Sequence, residues 1–421
     1  MTIEEFVRAR YGMFVHFGLY SLLERGEWVM NREEIPREEY RLLADRFQPR
    51  QFDADALARL AVRSGMRYLV FTTMHHDGFR LYDSDLTDFC STKTAARRDF
   101  TAEIIEACRR HGLKIGLYHS LNNWMDLPDS VDALESPLAY ETFIGNTFER
   151  FRELLTRYQP VDILWYDGWW PYHAEGWRAV ELDQMAKSIQ PHILLNGRHG
   201  GQADFATPEQ HLTAPNPWRP WEACITLNGS WGYNAGDHRW KQPQEVLAML
   251  ATCSTRKGNL LLNIGPRGDG SVPEPATIIL EQTGEWLKLN GEAFEDTDYF
   301  TYSLREEGDC RNDWNHCGPL TARGNCLYWL VFRWPKDRLT LGGVQTRVSR
   351  VSLLDGNRPL EFLQAGTRLQ ILGIPDRPPS SLCTVIKIDC EEPPRLYQCG
   401  GIRRPSVPHP HYDPAESDIQ D

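Results

Sequence analysis

RYLVFTTMHH (67–76) and DILWYDG (162–168) are the two stretches on which the fold turns. Each is a short apolar run, rich in β-branched and aromatic residues, that stops at side chains suited to chemistry: His75 and His76 in one, Asp167 in the other. Runs of this length between turn signals make buried strands, and strands apolar on both faces belong to parallel sheets covered by helices. Five more runs share the texture: GMFVHFG (12–18), LKIGLYHS (113–120), HILLNGR (192–198), GNLLLNIGP (258–266) and the weaker CITLNGSWG (224–232). Between them lie segments with apolar residues at helical spacing, namely 54–65, 100–112, 148–158 and 243–254. Gly65 and Gly112 close two of these, as helix C-termini favour.

Repeated βα units with seven strands point to an α/β fold, a (β/α)8-like TIM-type barrel that need not be regular, rather than an open doubly wound sheet. The placement of chemical residues agrees. His16, His75, His76, Tyr118, Asp167 and Arg198 all fall at carboxyl ends of strands, which converge on one mouth in a barrel. After GEWLKLNGEAFEDT (284–297) the texture changes to short β-like runs at 327–334, 347–354 and 383–389, a small C-terminal β-sandwich. The expected division is a catalytic barrel over 1–296, a sandwich over 297–402 and a Pro- and Asp-rich disordered tail over 403–421.

The 421 residues are 41% hydrophobic and 25% charged, ordinary globular composition, and no apolar run is long enough to span a membrane. A net charge of −12 with no basic footprint argues against nucleic acid as a partner. The N-terminus, MTIEEFVRARYG, has no apolar core of a signal peptide, so a cytoplasmic location is expected. Ten cysteines without a C-x-x-C pair read as reduced, packed thiols rather than zinc ligands or disulfides. Oligomeric state is not legible, and a homo-oligomer is compatible with everything above.

Adjacent histidines serve one site only where a strand is breaking into its loop, because strand neighbours point to opposite faces. The Asp-Gly turn in TMHHDGF (73–79) supplies that break. Alone, the pair reads as one core and one surface histidine. In the company of His16, Glu27, Trp28 and Tyr118 it offers hydrogen-bonding groups beside aromatic faces, the mixture a sugar needs. Glycoside hydrolysis requires two carboxyl groups. Asp167, alone among Trp165, Tyr166, Trp169 and Trp170, is the first candidate; Glu209 in ADFATPEQH and Glu222 in RPWEAC compete for the second place. Taken singly, either glutamate reads as an exposed loop carboxylate.

The chain resembles the α-L-fucosidases of glycoside hydrolase family 29. RYGMFVHFGLYS, MHHDGF, LWYDGWW, DFATPEQH, SWGYN, GNLLLNIGPRGDG and GEWLKLNGEAF carry the resemblance in order over about 290 residues. It implies a barrel followed by a β-sandwich and a retaining exo-α-L-fucosidase acting on fucosylated oligosaccharides or glycoconjugates without metal or cofactor. Asp167 matches the family's nucleophile and Glu209 the acid/base of bacterial relatives, with Glu222 the runner-up. His16, Glu27, Trp28, His75, His76, Tyr118 and Arg198 match residues that hold the fucose ring. Trp231 fits a wall facing the C5 methyl, Trp165 the sugar pocket, and Trp169 and Trp170 the rim where the leaving group sits. The family commonly reads N-D-R-W-G where this chain has NGRHG (196–200). The alternatives are an α-L-galactosidase-like activity, a metal-dependent hydrolase built on His16, His75, His76 and Asp167, and a non-catalytic fucose-binding protein.

Overall fold

The structure is a computed structural model and describes residues 1–300 and 314–396. The 403–421 tail lies outside the described residues, as do Cys310 and Cys399.

Seven strands form the main sheet: β1 Tyr11–Val15, β2 Tyr68–Met74, β3 Lys114–Ser120, β4 Ile163–Asp167, β5 Leu194–Leu195, β6 Glu222–Thr226 and β7 Asn259–Ile264. Their order is β5-β4-β3-β2-β1-β7-β6, and β1 to β5 pair in parallel with their successive neighbours. The sheet curls, and single parallel bridges, Asn196 to Phe205 and Glu209 to Cys224, close the gap between β5 and β6. Residues 205–209 thus stand where a regular barrel would have an eighth strand.

The run 192–198 yields only two paired residues, and Asn196 supplies the reason. Its side-chain amide accepts from the Tyr166 N–H at 2.9 Å and donates to the Tyr166 carbonyl at 3.0 Å. A side chain replaces the backbone ladder there, so the strand is short although its sequence is strand-like. Flanking helices start where capping chemistry puts them. Asp53 and Asp99 accept from the N–H groups of Ala56 and Ala102 at the starts of Ala54–Arg63 and Phe100–Arg110. Gly65 and Gly112 leave these helices with φ of +83° and +71°. The helix expected over 148–158 runs from Pro137 to Arg157, capped by Ser136.

Two compact units are present. The first comprises Met1–Gln210, Cys224–Lys241 and Leu261–Glu281. Phe14, Tyr68, Val70, Tyr118, Ile163, Trp165, Leu194, Phe205 and Leu261 form its inner core, one face of successive strands. The second comprises His211–Ala223, Gln242–Leu260 and the described residues from Gln282 onward. It holds a four-stranded antiparallel sheet, β8 Leu320–Arg323, β9 Cys326–Val331, β11 Val348–Leu353 and β14 Thr384–Cys390, in the order β11-β14-β9-β8. A three-stranded sheet of β10 Leu339–Leu341, β12 Glu361–Ala365 and β13 Arg368–Leu372 shares one core with it, where Trp329, Leu339, Val351, Leu369, Ile371 and Ile386 are buried. No helix among the described residues is long and apolar enough to cross a membrane.

Candidate active site

The carboxyl ends of the strands surround a cavity. Period-two alternation delivers residues to it in pairs: Phe14 and His16 at the end of β1, Trp165 and Asp167 on β4. β2 ends at Met74 after a register shift against β3 between Thr72 and Met74. Both His75 and His76 therefore reach the cavity, which an unbroken strand would forbid. Tyr118, Arg198, Glu209, Trp28 and Trp231 complete the expected lining.

Two side chains hydrogen-bond Asp167 and a third approaches it. The Tyr118 hydroxyl donates to its Oδ2 at 2.8 Å, Arg198 Nη1 donates to Oδ1 at 3.3 Å, and His76 Nε2 lies 3.8 Å from Oδ2. Burial, the largest single influence, pushes this carboxyl upward, but Arg198, His76, Tyr118 and the Gly168 amide outweigh it and hold it below the usual range. His76 itself is pushed down to about 4, chiefly by burial, so at neutral pH the positive charge beside Asp167 is that of Arg198. Burial likewise lowers His16 to about 3 and His75 well below the ordinary histidine range. The Asp167 contact raises the Tyr118 phenol further above the level that its burial already sets.

Arg198 is the hub. The same Nη1 lies 3.3 Å from Asp167 Oδ1 and 2.7 Å from Glu209 Oε2, so the two carboxylate oxygens are no further apart than those distances laid end to end, 6.0 Å. Its guanidinium also sits over the Trp165 ring at 5.0 Å. The Glu209 side chain is 41% exposed, against 16% for Asp167. One carboxylate is at the floor and the other at the opening.

Glu27 and Glu222 stand elsewhere. Glu27 is buried and does not line the cavity; it accepts from the Gly232 N–H at 2.8 Å, directly behind Trp231. Burial raises its carboxyl, with the negative charge of Glu209 adding to the rise. Glu222 opens β6, fully buried, two residues before the lining residue Cys224, and does not itself line the cavity. His199 is buried against Tyr166 with stacked rings at 4.7 Å and contacts Asp183 through Nε2 at 2.9 Å, outside the lining. Of the two rim tryptophans, Trp170 lines the cavity and stacks on Trp28 at 5.4 Å, while Trp169 is 47% exposed. Among the described residues, no group of three or more His, Cys, Asp or Glu side chains is arranged to hold a metal ion.

Sequence reasoning did not single out Phe14, Cys224, Ser120 or Asn263. Phe14 and Cys224 line the cavity; Ser120 and Asn263 support its histidines from behind. The signal for Asn263 was present in LLLNIG, where a polar residue shares strand parity with the core residue Leu261.

A profile of the family described as alpha-L-fucosidase matches residues 1–292. The alpha-L-fucosidase isoenzyme 1 of Paenibacillus thiaminolyticus is similar in structure, with TM-score 0.85 and 33% identity over 93% of this chain and 99% of that one. A trapped covalent intermediate of a Bacteroides thetaiotaomicron GH29 alpha-L-fucosidase, formed with 2-fluoro-fucosyl fluoride, superposes with TM-score 0.79 at 25% identity, covering 92% and 95% of the two chains. Tissue alpha-L-fucosidase of Bos taurus is 26% identical over 414 residues, 90% of this chain and 86% of that protein.

Proposed function

Because the chain belongs to the α-L-fucosidase family, we propose that Asp167 and Glu209 carry out the family's reaction in the cavity just described. The protein is a retaining exo-α-L-fucosidase that hydrolyses terminal α-L-fucosyl residues by double displacement. In the first step Asp167 attacks the anomeric carbon, the glycosidic C–O bond breaks, and Glu209 gives its proton to the departing oxygen. In the second, Glu209 takes a proton from water, the water oxygen bonds to the anomeric carbon, and the Asp167 ester is released as carboxylate.

The observation that supports this pair is the 6.0 Å upper bound that their shared contact with Arg198 Nη1 sets on the separation of their oxygens. Retaining pairs stand roughly 5–5.5 Å apart and inverting pairs roughly 6.5–9.5 Å. Asp167, held ionised by Arg198 and Tyr118, suits a nucleophile. Glu209, at the opening, must leave its ion pair with Arg198 to carry a proton to the leaving oxygen. The buried His16, His75 and His76, with Trp28, Trp165, Tyr118 and Trp231, serve the fucose ring, and Glu27 serves it through the loop bearing Trp231. On this reading catalysis resides in residues 1–296, the sandwich over 297–402 is an appended module, and the eight free thiols among the described residues suit a cytoplasmic setting.

Incubation with aryl α-L-fucoside, aryl α-L-galactoside and fucosylated oligosaccharides, with the first-formed anomer read by NMR, tests the reading. α-L-Fucose as initial product supports it. Release of β-L-fucose first, or binding of fucose without hydrolysis, overturns it.

A further inference from the structure

Two of the cavity histidines sit in hydrogen-bond chains whose directions can be worked out. Asn263 Nδ2 is 2.8 Å from the Trp231 carbonyl, which only accepts, so the amide nitrogen faces that carbonyl. Its Oδ1 then faces His16 Nδ1 at 2.7 Å, and an amide oxygen only accepts; the proton is therefore on His16 Nδ1. Behind His76 the same logic runs through a hydroxyl. Ser120 Oγ has one proton and lies 2.6 Å from the Asn122 carbonyl, which must receive it. The 2.6 Å contact between Ser120 Oγ and His76 Nδ1 is then closed by a proton on Nδ1. Burial keeps both rings neutral at pH 7, so each has its other nitrogen, Nε2, as an unprotonated acceptor. His76 Nε2 and Asp167 Oδ2, 3.8 Å apart, are accordingly two acceptors with no proton between them.

We infer that His16 and His76 recognise sugar hydroxyls solely as proton donors, and that Asn263 and Ser120 are the positioning residues that impose this by fixing both rings as Nδ1–H tautomers. The inference deepens the fucosidase reading and rests on it for the identity of the sugar. Asn263 does a second task with the same side chain: it ties the Trp231 backbone to His16, so one amide sets an apolar wall and a polar contact of the cavity together. A hydroxyl replaced by fluorine keeps its size and its capacity to accept but has no proton to give. Such a sugar should bind these histidines no better than one lacking the hydroxyl altogether.

Two measurements test this separately from activity. With histidine labelled by nitrogen-15, and resonances assigned through the His16→Gln and His76→Gln variants, both rings should show a protonated Nδ1 and an unprotonated Nε2 at pH 7. An Nε2–H on either ring overturns the inference even if the enzyme hydrolyses fucosides. In binding of free L-fucose and its single-site analogues, at two or more ring hydroxyls the deoxy and deoxyfluoro forms should weaken Kd equally, by about tenfold each. A deoxyfluoro sugar that binds as fucose does at every position where the deoxy sugar fails overturns it. Asn263→Leu should give mixed His16 tautomers and raise KM about tenfold with a smaller change in kcat. Asn263→Asp, which keeps the acceptor, should restore the Nδ1–H signal; an unchanged His16 spectrum in Asn263→Leu overturns the positioning role.

Discussion

Asp167 keeps its charge although its neighbours at 165, 166 and 170 are aromatic, because Arg198 and the Tyr118 hydroxyl reach it. Arg198→Met should let the burial effect dominate and raise that carboxyl. The acid limb of the kcat/KM profile then moves to higher pH, and activity falls by on the order of 100-fold, as initial rates across pH would show. The two candidate acid/base residues separate by chemical rescue. Glu209→Gly should lose activity toward poor leaving groups outright and, on an aryl α-L-fucoside with a good leaving group, should be accelerated by azide, which displaces Asp167 from the fucosyl ester to give fucosyl azide of retained configuration; rescue of Glu222→Gly in its place would transfer the role. Residues such as His75, His76 and Asp167 were legible because they interrupt apolar runs. Asn263 also interrupts one, in LLLNIG, but its role and that of Ser120 were not legible, because their meaning lies in partners distant in sequence: His16 for one, His76 for the other.

Gly168 connects β4 to its loop with φ of +74°, and a Cβ there would stand 2.8 Å from Ser120 Oγ and 3.0 Å from His76. Gly168→Ala should therefore strain the turn and push on the His76–Ser120 contact at once. A loss of about 1–3 kcal/mol in stability, read by urea unfolding, and a rise in KM are expected. At this scale the sequence is legible where local pattern and tertiary demand coincide. RYLVFTTMHH and LKIGLYHS contain β2 and β3 with their ends misplaced by two residues or fewer. HILLNGR is cut to the two-residue strand β5 because the Asn196 side chain takes the hydrogen bonds that a longer backbone ladder would have made. The early start of the helix at Pro137 was missed because exposed Leu138 and polar neighbours give its first turns little apolar periodicity.

Four histidines, His16, His75, His76 and His119, are buried in neutral form, and this sets the response of the molecule to acid. His16 and His76 titrate near 3 and 4 when folded, and His75 and His119 are also well below their unfolded values. Each lowered group contributes stability that is complete above an unfolded pKa of about 6.5 and is lost as pH falls toward the folded value. Asp77 opposes them. Burial pushes it up to about 6, so its contribution is complete below about 3.9 and is lost as pH rises through about 6. Glu27, whose carboxyl burial also raises, opposes them in the same sense. Four lowered groups outweigh these two, and Tm should fall between pH 6.5 and 4; an unchanged Tm over that window would contradict the burial of neutral rings. Seven strands and a carboxyl-end cluster were readable as a barrel, but its closure by the bridges at Asn196 and Glu209 was not, since isolated pairings leave no periodic trace. That closure places Glu209 beside Arg198 and, through it, within reach of Asp167. The most direct test of the pairing is inactivation with a 2-fluoro-fucosyl fluoride followed by peptide mapping of the labelled protein. The account predicts one fucosyl ester, on Asp167 in LWYDGWW; a label on Glu209, Glu222 or any other residue would contradict it.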